Sequence, residues 1–199
     1  LPVSIGYPGT ALFRNTPTLL NISHRKAVYW DGRLSGSDLA TVVRDHLTEP
    51  FFMAADGRLL IERMKQVPEY VELFKAAYKV EPDFGTILKS LAAYVGSLDS
   101  PPAPFDLFLK GDDKALTADA VAGKRLFEGK AGCATCHPAP LFTDHTFHDL
   151  GLRTGTKLLD DPERHATFRR FFRGLGTPNY RNLTEDAGRY VVKFNDADR

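Results

Sequence analysis

The chain has little cysteine, methionine or tryptophan: 2, 2 and 1 in 199 residues. Two cysteines are too few for the disulfide framework that staples small secreted domains. Neither sign of charge dominates, since 26 Lys and Arg face 25 Asp and Glu and leave a net charge of +1. That balance removes a general role on nucleic acid or on an acidic membrane surface. No apolar run reaches the length of a membrane span, and no internal repeat or long alternating β pattern occurs. What remains is ordinary globular material, 43% hydrophobic and 26% charged, enough for one large domain or one and a half ordinary ones. The start, Leu1-Pro2-Val3, carries no methionine, so processing or trimming is expected there.

The two cysteines stand together in Gly132-Cys133-Ala134-Thr135-Cys136-His137. C-x-x-C-H is the attachment motif of a c-type haem. Thiols at this spacing each add to one vinyl group of the porphyrin, and the histidine that follows turns its imidazole to the iron as axial ligand. Cys133 and Cys136 are therefore the covalent anchors and His137 the iron ligand. Three other readings fit less well. A zinc set of Cys133, Cys136, His145 and His148 has a tight H-x-x-H and a very short loop before it. A thioredoxin-like pair lacks the βαβ pattern around it, and a plain disulfide would close a strained loop. Thiol-bound haem is assembled outside the cytoplasm, so a periplasmic location is expected.

The chain reads as mainly α. Residues 1–21 carry turn chemistry. Ser35 or Ser37 is expected to cap a helix whose Leu39, Val42, Val43, His46 and Leu47 share a face, with Pro50 ending it. Further helices are expected over residues 58–65, from Pro68, and over 84–98. Ser100-Pro101-Pro102-Ala103-Pro104 is the best internal boundary, dividing residues 1–100 from 101–199. Residues 105–115 read as loop, Thr117 as the cap of a helix to about Glu128, and Asp161-Pro162 as the start of another. The arginines of that last helix read as a solvated or propionate-facing surface rather than a nucleic-acid site. The loop 138–144 reads as cover for a haem edge. The stretch 188–199 shows no closing element.

Several motifs occur in order: Arg14-Asn15-Thr16-Pro17-Thr18, Tyr29-Trp30-Asp31-Gly32-Arg33, Pro104-Phe105-Asp106, the C-x-x-C-H, and Phe142-Thr143-Asp144 with Phe147-His148-Asp149-Leu150-Gly151. This ordered set resembles the bacterial di-haem cytochrome c peroxidases and MauG-type enzymes. The resemblance implies a cytochrome-c-like helical haem domain, residues 101–199, with part of a second such domain in residues 1–100. It implies haem c oxidoreductase chemistry driven by hydrogen peroxide, of the peroxidase type. The partners implied are a small electron-donor protein (a cytochrome c or cupredoxin) or an oxidised protein substrate, and a companion chain or homodimer. This motif corresponds to the family's second, electron-transfer haem, and a second haem is expected on an upstream part. Trp30 matches the family's inter-haem relay, which the resemblance favours; by its own chemistry it reads as a core anchor. Asn15 matches a calcium-binding asparagine, through oxygen, and also reads as a plain turn residue.

Two departures matter. The family's P-x-E-M loop carries a proton-transferring glutamate, where this chain has Pro50-Phe51-Phe52-Met53. Phenylalanine moves no proton, so a divergent member is expected, with Glu49 or His46 as substitutes. The family's distal ligand lies further downstream than residue 199. Met53 and Met64 are not assigned to it, and His145, His148 and His165 are local candidates that read more readily as surface or propionate-contacting groups. The chain is accordingly expected to be the middle of a longer polypeptide. A mono-haem cytochrome that only carries electrons is the alternative.

Overall fold

The computed structural model describes residues 4–7, 9, 11–151, 160–186 and 188–193. The sequence readings that fall on residues 1–3 and 194–199 lie outside these. Helices dominate: α1 Leu39–Thr48, α2 Gly57–Lys65, α3 Pro68–Tyr78, α4 Phe84–Gly96, α5 Pro104–Leu109, α6 Ala118–Glu128, α7 Pro162–Gly174 and α8 Tyr190–Lys193. Two short strands, β1 Ala27–Val28 and β2 Leu34–Ser35, pair antiparallel with Val28 opposite Leu34.

Local chemistry sets most helix ends. Asp38, Asp56, Asp83, Thr117 and Asp161 each accept backbone N–H groups of the first turn through a side-chain oxygen, satisfying donors that the helix itself leaves open. Pro68 and Pro162 sit in the first turn of α3 and α7, where their missing N–H costs nothing. α1 stops at Glu49, held extended because the ring of Pro50 excludes the helical conformation before it.

Two expectations change. The cap of α1 is Asp38, not Ser35 or Ser37: Ser35 belongs to β2, and its hydroxyl bonds that of Ser37. Residues 104–109 form a helix, α5, rather than a loop. Pro104 takes the tolerated first position, and the Ala103 N–H is held by the Asp106 carboxylate at 2.6 Å. Residues 190–193 also turn helically.

The chain packs as two compact units, residues 1–98 with 149–199 and residues 99–148. The segment after His148 packs with the first unit. That first unit has two apolar centres. Phe168, Phe171 and Phe172 of α7 gather Phe13, Phe51 and Tyr180. Ile22, Val28 and Val42 gather Leu34, Leu39 and Val95, so the hairpin seals against α1 and α4. Gly36 lets the hairpin close: a Cβ there would lie 1.6 Å from the Arg25 carbonyl oxygen. The second unit holds α5, α6 and the C-x-x-C-H segment, and among its described residues no side chain is fully buried.

Candidate haem-attachment site

In the second unit, α6 ends at Gly129, and Gly132 adopts φ +68°, a left-handed turn open to glycine. The chain then winds through a short 3₁₀ turn, Cys133–Thr135. The Cys133 carbonyl accepts from the N–H groups of Cys136 at 3.2 Å and of His137 at 2.9 Å. This coil brings both thiols and the imidazole out of one turn. Both cysteines are free and half-buried.

His137 Nδ1 lies 2.9 Å from the Phe142 carbonyl oxygen. A carbonyl only accepts, so Nδ1 carries the hydrogen and Nε2 keeps the lone pair, the tautomer a metal-bound imidazole needs. Phe142 takes φ +54°, rare for a bulky residue. Its ring is held by Phe105 and Phe127 at centroid distances of 5.1 and 5.8 Å. In the same unit Leu107, Leu126, Leu141 and Phe147 are between 43% and 56% exposed. Two free thiols and an oriented imidazole, in a unit that exposes several apolar side chains, are the donor set that a covalently attached porphyrin requires. These residues fit haem c.

The zinc alternative is not assembled. His148 Nε2 lies 2.8 Å from Asp144 Oδ2 and 2.7 Å from the Thr146 hydroxyl. Among the described residues no group of three or more His, Cys, Asp or Glu side chains could hold a metal ion. The Thr146 amide, His148 and the Thr146 hydroxyl together hold the Asp144 carboxyl down at about 2. His165 belongs to the first unit and stacks near Phe168 at 6.4 Å.

The other predicted site residues lie in the first unit. Trp30 is 60% exposed, which overturns the core-anchor reading. Its indole N–H donates to the Asn15 carbonyl at 2.7 Å. Asn15 is exposed and meets Trp30 through its main chain. Beneath this contact runs an ion network that sequence reading missed. Asp31, fully buried, accepts from Arg14 Nη1 at 2.5 Å and from Arg33 Nη1 at 3.0 and 3.1 Å. Arg14 also makes a two-pronged contact with Asp186, at 2.6 and 2.7 Å. Burial alone would lower the pKa of Arg14, but the bonds and charges of Asp186 and Asp31 outweigh it and raise it. Arg14–Asp31 and Asn15–Trp30 are thus consecutive rungs between the N-terminal strap (residues 4–17) and the hairpin.

A cavity of about 220 Å³ opens beside Trp30, walled by the strap, the hairpin, the end of α1 and the Phe51-Phe52-Met53 loop. The strap crosses that loop closely. Tyr7 N–H donates to the Phe52 carbonyl at 2.6 Å, and a Cβ on Gly6 would lie 2.0 Å from the Phe51 carbonyl oxygen. On the cavity wall, His46 Nδ1 lies 3.1 Å from the Tyr29 hydroxyl, and Arg33 stacks 3.3 Å from the Tyr29 ring centroid.

The family described as di-haem cytochrome c peroxidase matches residues 1–114. The chain is 41% identical over 198 residues to cytochrome-c peroxidase IdrP2 of Denitromonas iodatirespirans, covering 100% of this chain and 54% of that protein. It is 41% identical over 157 residues to methylamine utilization protein MauG of Methylorubrum extorquens, covering 78% and 44%. It is 34% identical over 155 residues to cytochrome c551 peroxidase of Pseudomonas aeruginosa, covering 76% and 44%. The solved structure of a MauG-like protein associated with microbial copper homeostasis shares the fold, with a TM-score of 0.71 at 22% identity over 100% of this chain and 56% of that one. The chain spans about half the length of the curated relatives it matches. It belongs to the di-haem cytochrome c peroxidase family.

Proposed function

We infer that this chain supplies the electron-transfer haem c of a peroxide-consuming oxidoreductase of the peroxidase or MauG type. The observation that carries the reading is the single turn that presents Cys133, Cys136 and a tautomer-fixed His137. When bound, the haem supplies one-electron redox chemistry at a potential set by its axial ligand and burial. Cys133 and Cys136 would hold it by thioether bonds, and the Nε2 of His137 is the atom that would ligate the iron. Trp30 conducts electrons toward a second haem on the upstream part of the polypeptide, and its bond to the Asn15 carbonyl keeps the indole in place. Asn15 itself is the candidate calcium contact. Reducing one hydrogen peroxide to two waters consumes two protons and two electrons, and the electrons come from a small donor protein. Thiol-bound haem supports a periplasmic setting. Membership of a di-haem family weighs against the mono-haem carrier.

Denaturing intact mass and peroxide turnover on the full-length protein test this. Two covalent haems, with peroxide-dependent oxidation of a reduced cytochrome c or cupredoxin, are expected. A single haem without turnover for any donor would overturn the reading in favour of a carrier.

A further inference from the structure

The cavity of the first unit has one proton-handling side chain, and the structure fixes which nitrogen acts. We propose that His46 transfers the peroxide proton in this cavity through its Nε2 atom. The proposal rests on the peroxide reading above.

His46 sits in the last turn of α1 and lines the cavity. Its Nδ1 lies 3.0 Å from the Val42 carbonyl oxygen and 3.1 Å from the Tyr29 hydroxyl. The carbonyl only accepts, so Nδ1 carries the hydrogen and offers it to both oxygens. Nε2 then holds the lone pair, and no described residue bonds it. The ring lies flat on Phe52, with centroids 4.5 Å apart and planes 9° apart, and the Met53 N–H donates to the His46 carbonyl at 3.2 Å. The imidazole is thus held along its Nδ1 edge and on one face, and its main-chain carbonyl is held by Met53. Positioned acid–base groups need this fixity.

No other lining group suits the task. Arg14 and Arg33 remain charged and are paired with Asp31. Tyr29 is pushed up to about 12 by its burial, so it keeps its proton. Asp45 and Glu49, on and just beyond the same helix, are not among the lining residues. Histidine is the side-chain type that exchanges protons near neutral pH, and His46 is the one histidine among the lining residues.

The step balances. Nε2 takes the proton from one peroxide oxygen and returns it to the other as the O–O bond breaks, so that oxygen leaves as water. The two electrons come from the donor protein, and two solvent protons complete the second water. The imidazole ends as it began.

The test uses full-length protein, with His46→Gln and His46→Ala beside the unaltered chain. The rate of the peroxide-induced absorbance change is expected to fall about 10²-fold or more in both variants. Added imidazole should restore a substantial part in His46→Ala and none in His46→Gln, whose side chain fills the site. Nitrogen-15 NMR of histidine-labelled protein, assigned by the signals lost in His46→Gln, should show a protonated Nδ1 and a bare Nε2. Variants reacting within about twofold of the unaltered protein, or a bare Nδ1, would overturn this proposal alone. No reaction of the unaltered protein with peroxide would overturn the peroxide reading and this proposal together.

Discussion

Replacing Asp31 with asparagine probes the ion network that underlies Trp30. The carboxylate receives Arg14 and Arg33 on Oδ2, and the Arg33 side chain and backbone N–H on Oδ1. A carboxylate only accepts; an amide turns one of the two oxygens into a donor. Whichever oxygen is lost, an NH₂ group then meets an arginine N–H inside the protein. Breaking a buried pair of this kind costs about 3–5 kcal/mol. Arg14 retains Asp186, so the low end, about 3 kcal/mol, is expected. That is about a hundredfold in the unfolding equilibrium, or a Tm lowered by roughly 6–12 °C. Urea unfolding followed by the fluorescence of Trp30, the chain's one tryptophan, reads the effect beside the substitution. The midpoint should fall with the slope unchanged. A loss below about 1 kcal/mol would refute the reasoning, because it would make the network no stronger than a solvent-exposed pair.

Phe168 is fully buried among Phe13, Phe171 and Phe172, so Phe168→Ala should cost about 3–5 kcal/mol in the same unfolding experiment. Asp144 is held at about 2, below the value near 4 of an unfolded chain. A depressed carboxyl stabilises above its unfolded value and loses that effect as pH falls through its folded one. Limited proteolysis of the 143–148 loop should therefore accelerate between about pH 4 and 2, and Asp144→Asn should be labile throughout. Tyr29 is raised to about 12. Its neutral form stabilises fully below about pH 10 and progressively less as pH rises toward the folded value. Ultraviolet titration should show one of the 7 tyrosines ionising last, and Tyr29→Phe should abolish that final step.

Features written in contiguous residues were legible. Thr117 and Asp161-Pro162 begin helices where the sequence places them, because a cap acts on the backbone two or three residues on. The haem motif is legible for the same reason: its thiols and imidazole fall within five residues. α5 escaped because a proline cluster reads as a break, while Pro104 begins a helix that Asp106 ties back to Ala103. Asp31 reads as a turn residue in an Asp-Gly pair. Its burial comes from Arg14, 17 positions away, which is itself held by Asp186, 172 positions further on. Trp30 looked like core because tryptophan usually is, yet the rung to Asn15 holds it at the surface. The tautomers of His46 and His137 depend on carbonyls fixed by folding, at Val42 and at Phe142, whose backbone is left-handed.

The two units differ in what holds them. The first has phenylalanine and aliphatic centres, buried capped helices and an internal ion network, and its site residues sit on that frame. The second, residues 99–148, has its caps and helices but no fully buried side chain among its described residues. Its largest aromatic contact, Phe105, Phe127 and Phe142, is partly open. A segment this short with so little buried apolar surface needs a further staple. On the proposed reading Cys133 and Cys136 would be the attachment points of that staple, a haem held by two thioether bonds. Losing either thiol should therefore weaken the fold as well as the site.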